Sequence, residues 1–146
     1  ANELLEERVY LLRKNIPNAN IIPGDALTLE YERYFDIVFQ STVFTSILDF
    51  QFKVELAKKM MDMIKEDGFI LWYDFKYNNP SNPNVRGVGR SEIRELFAPW
   101  VCEFRSVTLA PPIARRVVPL CWSLAEDLET FLPFLRTHLI AVIRNL

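Results

Sequence analysis

Apolar residues recur along this chain first at helical spacing and then in short runs. Leu5, Val9, Leu12 and Ile16 lie one turn apart behind Asn2, which is placed as an N-cap, with Glu3, Glu6 and Glu7 in the first turn. Pro17-Asn18 stops that helix. Residues 20–22 read as a short strand ending in Pro23-Gly24, and residues 27–33 as a loop or helical turn. Residues 36–40 carry the consecutive apolar residues Ile37, Val38 and Phe39 without alternation, which predicts a central strand buried on both faces, the habit of parallel sheets. A helix follows over about 50–66, with Phe52, Leu56, Met60 and Ile64 on one face and Asp67-Gly68 as a left-handed stop. Residues 69–74 form the next buried strand.

The pattern then breaks. Residues 76–90 hold four Asn, two Pro and two Gly, which predicts an exposed loop, long enough to be functional. Ser91 is placed as the cap of a short helix with Ile93, Leu96 and Phe97 inside, ended by Pro99. Residues 103–109 alternate like an edge strand, residues 111–134 form a helical insertion, and residues 137–143 form the last strand. Alternation of buried strands with helices predicts an α/β domain over 1–146, a parallel sheet with helices on both faces.

Composition narrows the class. The chain has 146 residues, half apolar, with net charge −2, as in an ordinary soluble domain. Arg115-Arg116 is an isolated basic pair, so no nucleic-acid partner is expected. Cys102 and Cys121 read as buried free thiols of a cytoplasmic protein, and with one histidine they do not make a structural zinc site. No apolar run reaches 18 residues, and the tail over 128–146 is broken by Pro133, Arg136 and His138, so no transmembrane segment is expected. The chain opens in a helical pattern without Met or signal peptide, as a piece of a longer protein would.

Gly24-Asp25-Ala26, Phe35-Asp36-Ile37-Val38-Phe39 with Gln40-Ser41-Thr42, and the run from Lys65-Glu66-Asp67-Gly68 to Tyr73-Asp74 come in an order that resembles class I S-adenosylmethionine-dependent methyltransferases of the bacterial small-molecule type. The resemblance covers almost the whole chain. It implies a Rossmann-like sheet with an antiparallel last strand, S-adenosyl-L-methionine as cofactor, and methyl transfer to a small molecule or a glycan or lipid precursor. It also implies what the sequence lacks: the glycine-rich first loop, and the acidic residue that ends the second strand and holds the ribose hydroxyls. The first two strands would lie beside residues 20–22, which are then expected to have no neighbour, leaving unpaired backbone groups at about 1–3 kcal/mol each. Roughly 60–90 further residues upstream, or a homodimer that pairs the orphan strand, would answer that cost.

By the same resemblance Asp25 accepts from the adenine amine, with Gly24, Ala26 and Leu27 about the base; the alternative is a cap on the following turn, and both can coexist. Gln40 and Ser41 would line the methionine end and Thr42 the acceptor, or else they serve the turn. Asp74, at the carboxyl end of its strand, is placed as a catalytic base or as a loop cap, and His138 as the other base or as a structural histidine. Asn78, Asn79, Arg86 and Arg90 could form a polar lid that binds substrate, or a solvated loop. Tyr73 and Asp74 must point to opposite faces of the sheet. The rival function is a non-catalytic methyltransferase-like module or an inactive fragment.

Overall fold

The computed structural model describes residues 1–80 and 82–145. They divide into two compact units, Ala1–Glu32 and Arg33–Leu146. In the first, β1 (Asn2–Glu3) and β2 (Ile22–Pro23) flank α1 (Glu6–Asn15) in sequence and pair in parallel, Asn2 opposite Ile22 and Glu3 opposite Pro23. This corrects two expectations. Asn2 does not cap α1, because its side-chain amide reaches across the ladder, Nδ2 donating to the carbonyls of Ile22 (3.2 Å) and Gly24 (2.9 Å). Asn side chains compete readily for backbone groups, and α1 starts behind Leu5 with no side-chain cap. Nor is the strand at residues 20–22 without a neighbour: the neighbour is Asn2–Glu3 of the same chain. Gly24 turns away with φ 108°, a conformation open to glycine, and its N–H donates to the Glu3 carbonyl at 3.0 Å. Val9 and Ile21 are buried, whereas Leu5 and Ile16 of the predicted helical face are exposed.

The second unit contains β3 (Phe35–Ser41), α2 (Phe50–Met63), β4 (Ile64–Phe75), α3 (Arg90–Leu96), β5 (Val101–Leu109), α4 (Pro111–Val117), α5 (Trp122–Phe131) and β6 (Arg136–Arg144). Its sheet has the order β3-β4-β6-β5, with β3 parallel to β4 and β6 antiparallel to both its neighbours. The sheet is therefore mixed, with the antiparallel last strand in its interior. The carboxyl ends of β3, β4 and β5 lie at one end, the end at which open α/β sheets bind ligands.

Asp49 caps α2, its carboxylate accepting from Phe52 N–H at 3.0 Å. The helix stops at Met63, not near residue 66, and Gly68 is no left-handed stop. Gly68 lies within β4 where the backbone of β3 passes so close that a Cβ would sit 2.7 Å from the Asp36 carbonyl oxygen. Ser91 falls inside α3, whose cap position is Gly89.

Alternate residues of β4 divide the faces of the sheet. Ile70, Trp72 and Asp74 are buried beneath Leu56, Met60, Ile93 and Phe97 of the α2–α3 side. Trp72 lies 4.5 Å from the Phe44 ring and meets Phe97 edge-on at 5.8 Å. On the other face Ile37 and Phe39 keep 51% and 59% of their surface exposed. Their apolar run reads as burial on both faces, but β3 is an edge strand of this sheet and only Val38 and Gln40 turn toward the helices. Cys102 is partly buried and Cys121 exposed, so the expectation of two buried thiols is also corrected. No helix among the described residues is long and apolar enough to cross a membrane.

Lys53 of α2 is wholly buried, and its ammonium is paired with Glu92 of α3 at 2.7 Å; Arg86 reaches the same carboxylate oxygen at 2.8 Å. Removing one partner of such a pair strands a buried charge. Glu92→Gln is expected to destabilise the fold by about 3 kcal/mol, measured by urea unfolding, whereas Lys65→Gln, which breaks the exposed Lys65–Asp36 pair, leaves the unfolding midpoint close to that of the wild type.

Candidate active site

The first unit presents its carboxylates at the carboxyl ends of β1 and β2. Asp25 follows Gly24 and caps a 3-10 turn, Ala26–Thr28, its Oδ1 accepting from Leu27 N–H at 2.9 Å. Capping is thus present and engages one carboxylate oxygen. Beside it, Glu3 closes β1, with Oε1 accepting from Leu5 N–H at 3.0 Å. Glu3 corrects the expectation that no acidic residue ends a strand next to β2. Its signal was an acid at a strand-to-helix turn, hidden because the strand is only two residues long.

In the second unit the turn after β3 is fixed from several sides. Gln40 is buried; its Oε1 accepts from Val43 N–H at 3.3 Å and its Nε2 donates to the Tyr73 carbonyl at 3.5 Å. Thr42 adopts φ 55° and donates its N–H to the same carbonyl at 2.9 Å. Ser41 is exposed and stands opposite Tyr73 in the ladder. Asp74 has no exposed surface, and both of its oxygens are used. Oδ1 accepts from the Thr45 hydroxyl (2.7 Å) and Phe75 N–H (2.8 Å), and Oδ2 from Thr45 N–H (3.2 Å). Burial pushes the Asp74 carboxyl above its ordinary value, against the lowering effect of the Thr45 hydroxyl.

The loop over 76–90 is closed on itself. Asn78 Oδ1 accepts from Gly87 N–H at 2.9 Å, and Val88, fully buried, donates its N–H to the Phe75 carbonyl at 2.9 Å. Arg86 donates its backbone N–H to Thr45 and its guanidinium to Glu92. Arg90 lies over the Phe104 ring and reaches Ser106 Oγ at 3.5 Å. Asn78 and Asn79 are exposed.

On the opposite face from Asp74, the Tyr73 and His138 rings stack at 4.8 Å and 7°, and Phe75 lies 3.9 Å from the imidazole. The ladder puts His138 opposite Phe75. Burial lowers the His138 pKa from its ordinary value, favouring the neutral ring. Thus β4 and β6 gather Tyr73 and His138 on one face, while Asp74 and Thr45 meet on the other.

Solved structures share this fold. A SAM-dependent methyltransferase from Archaeoglobus fulgidus is 12% identical with TM-score 0.69, over 99% of this chain and 74% of its own. SAM-dependent methyltransferases from Methanosarcina mazei (11%, TM-score 0.69, 99% and 81%) and Mesorhizobium loti (14%, TM-score 0.68, 99% and 78%) are similar to the same extent. No protein-family model and no curated protein matches the sequence. The chain has the fold of class I SAM-dependent methyltransferases, a Rossmann-like α/β arrangement with an antiparallel last strand.

Because the folded state raises the Asp74 pKa above 3.8, its contribution to stability is full below that value and is lost as pH rises through the folded value. Asp74→Asn is therefore expected to cost more stability near pH 4 than near pH 7, read by urea unfolding of variant and wild type at both.

Proposed function

We propose that the chain belongs to a methyltransferase that binds S-adenosyl-L-methionine and methylates a small molecule or a glycan or lipid precursor. The observation that carries this reading is the pair of acids ending β1 and β2 in a unit of a methyltransferase-like fold. Their chemistry fits adenosine: Glu3 can accept from vicinal hydroxyls and Asp25 from an exocyclic amine, with Gly24, Ala26 and Leu27 about the base. When bound, the cofactor supplies an electrophilic methyl group on a sulfonium. In the second unit, Ser41 serves the methionine end and Gln40 fixes the turn that presents it. Thr42 and Asn79 serve the acceptor; Asn78, Arg86 and Arg90 shape the loop that borders it.

Displacement at a methyl group depends chiefly on positioning, with a base only where the acceptor must lose a proton. Between the two candidate bases, this reading assigns proton transfer to His138. Asp74 holds the Thr45 turn, since its oxygens are already occupied and it has no surface to offer an acceptor.

In the full-length protein, calorimetry is expected to detect S-adenosylhomocysteine binding, weakened about tenfold by Asp25→Ala and similarly by Glu3→Gln, the loss expected for a hydrogen bond to a charged group. Unchanged affinity removes the substituted residue from the site. Absence of binding by the wild type returns the non-catalytic module.

A further inference from the structure

The His138 ring leaves one nitrogen without a partner. The side chain is 4% exposed, its Nδ1 lies 3.1 Å from Thr137 Oγ1, and no described residue bonds Nε2. Thr137 Oγ1 also lies 3.5 Å from the Thr108 carbonyl, to which it donates. A hydroxyl has a single proton. With that proton on the Thr108 side, Oγ1 accepts from the imidazole, and in that arrangement Nδ1 carries the hydrogen and Nε2 keeps its lone pair.

The surrounding groups hold this arrangement. Thr108 adopts φ 66°, costly for a β-branched residue, and its N–H donates to Glu129 Oε1 of α5 at 2.9 Å. Its hydroxyl bonds the Tyr73 hydroxyl at 2.9 Å, which fixes the ring stacked on His138. The nearby charged groups are engaged: Glu129 with Thr108, Arg136 with the carbonyls of Glu129 and Thr130, and Lys76 with Ser106.

We propose that Thr137, Thr108 and Tyr73 are positioning residues that hold His138 as the neutral Nδ1–H tautomer, presenting Nε2 as the proton acceptor for a hydroxyl or amine of the methyl acceptor. The inference rests on the methyl-transfer reading. As the acceptor's oxygen or nitrogen bonds the methyl carbon, the carbon–sulfur bond breaks with its electron pair going to sulfur, and the acceptor's proton passes to Nε2. The burial that lowers the His138 pKa keeps Nε2 free at neutral pH.

Long-range proton–nitrogen NMR of histidine-labelled full-length protein tests this, the His138 signals being identified by their loss in His138→Gln. The expected spectrum has Nδ1 protonated and Nε2 bare, with the Nε2 resonance moving on saturation with S-adenosylhomocysteine. Thr137→Val is expected to lose the Nδ1–H signature and Thr137→Ser to restore it; Tyr73→Phe retains the stacked ring and tests the hydroxyl by the same signature. A wild type protonated at Nε2, a tautomer indifferent to Thr137→Val, or an Nε2 signal unmoved with ligand bound overturns the inference while leaving cofactor binding intact. Failure of calorimetry to detect the ligand overturns the methyl-transfer reading, and the inference with it.

Discussion

The second unit is organised around one buried carboxylate. Asp74 lies with no exposed surface at the carboxyl end of β4, and its cost of burial is offset by three hydrogen bonds, two of them from Thr45. Those bonds fix the turn after β3. Through the Thr45 carbonyl, which accepts from Arg86 N–H, they also fix the far limb of the loop over 76–90. Arg86 then passes the restraint to Glu92 and the buried Lys53, so loop, turn and two helices share one polar frame. The far limb of a loop rich in Asn, Pro and Gly is thereby tied to the turn and to α3 through Arg86.

Strand alternation divides the work within β4. Residues of even number from Ile70 to Asp74 pack beneath α2 and α3, while Tyr73 and Phe75 lie on the face that receives His138. The frame and the proposed chemistry are therefore separated by the thickness of the sheet, one residue apart in sequence. Asp74→Asn should act first on stability and His138→Gln first on proton transfer.

Much of this was legible in the sequence because its signals are local. Helical periodicity marked α1, α2 and α3, apolar runs marked β3 and β4, and Gly24-Asp25 marked a turn at a strand end. The failures share a cause in longer-range pairing. Asn2–Glu3 is too short to show a period, and only β2, some twenty residues on, makes it a strand and Glu3 the acid at its end. Ile64 continues the apolar face of α2, yet the ladder to Phe35 draws it into β4. Which face of β3 is covered depends on where the helices lie, so an unbroken apolar run could not tell Phe39 from Val38. His138 stood at the start of a strand in the sequence; its stacking partners came from the antiparallel register of β6 against β4.

Tyr73 joins the two strained points at the carboxyl ends of β3 and β5. Thr42 and Thr108 both take positive φ although both are β-branched, each at a cost of order 1–3 kcal/mol, and both are anchored on this one residue. The Tyr73 carbonyl accepts from Thr42 N–H, and the Tyr73 hydroxyl bonds Thr108 Oγ1. Main chain and side chain of one tyrosine thus hold the turn after β3 and the end of β5 in unfavourable conformations. Thr42 adds a bond from its hydroxyl to the Ser41 carbonyl at 2.8 Å, and Thr108 one from its N–H to Glu129 Oε1 at 2.9 Å. The strain is tolerated because the β4 ladder fixes Tyr73 on both sides, through Ser41 and Ile140. What the strain yields is direction: Ser41 is left exposed beside the Tyr73 backbone, and the Thr108 carbonyl is turned to take the Thr137 proton. Ser41 and His138, the residues proposed to face donor and acceptor, are set by the main chain and the side chain of Tyr73.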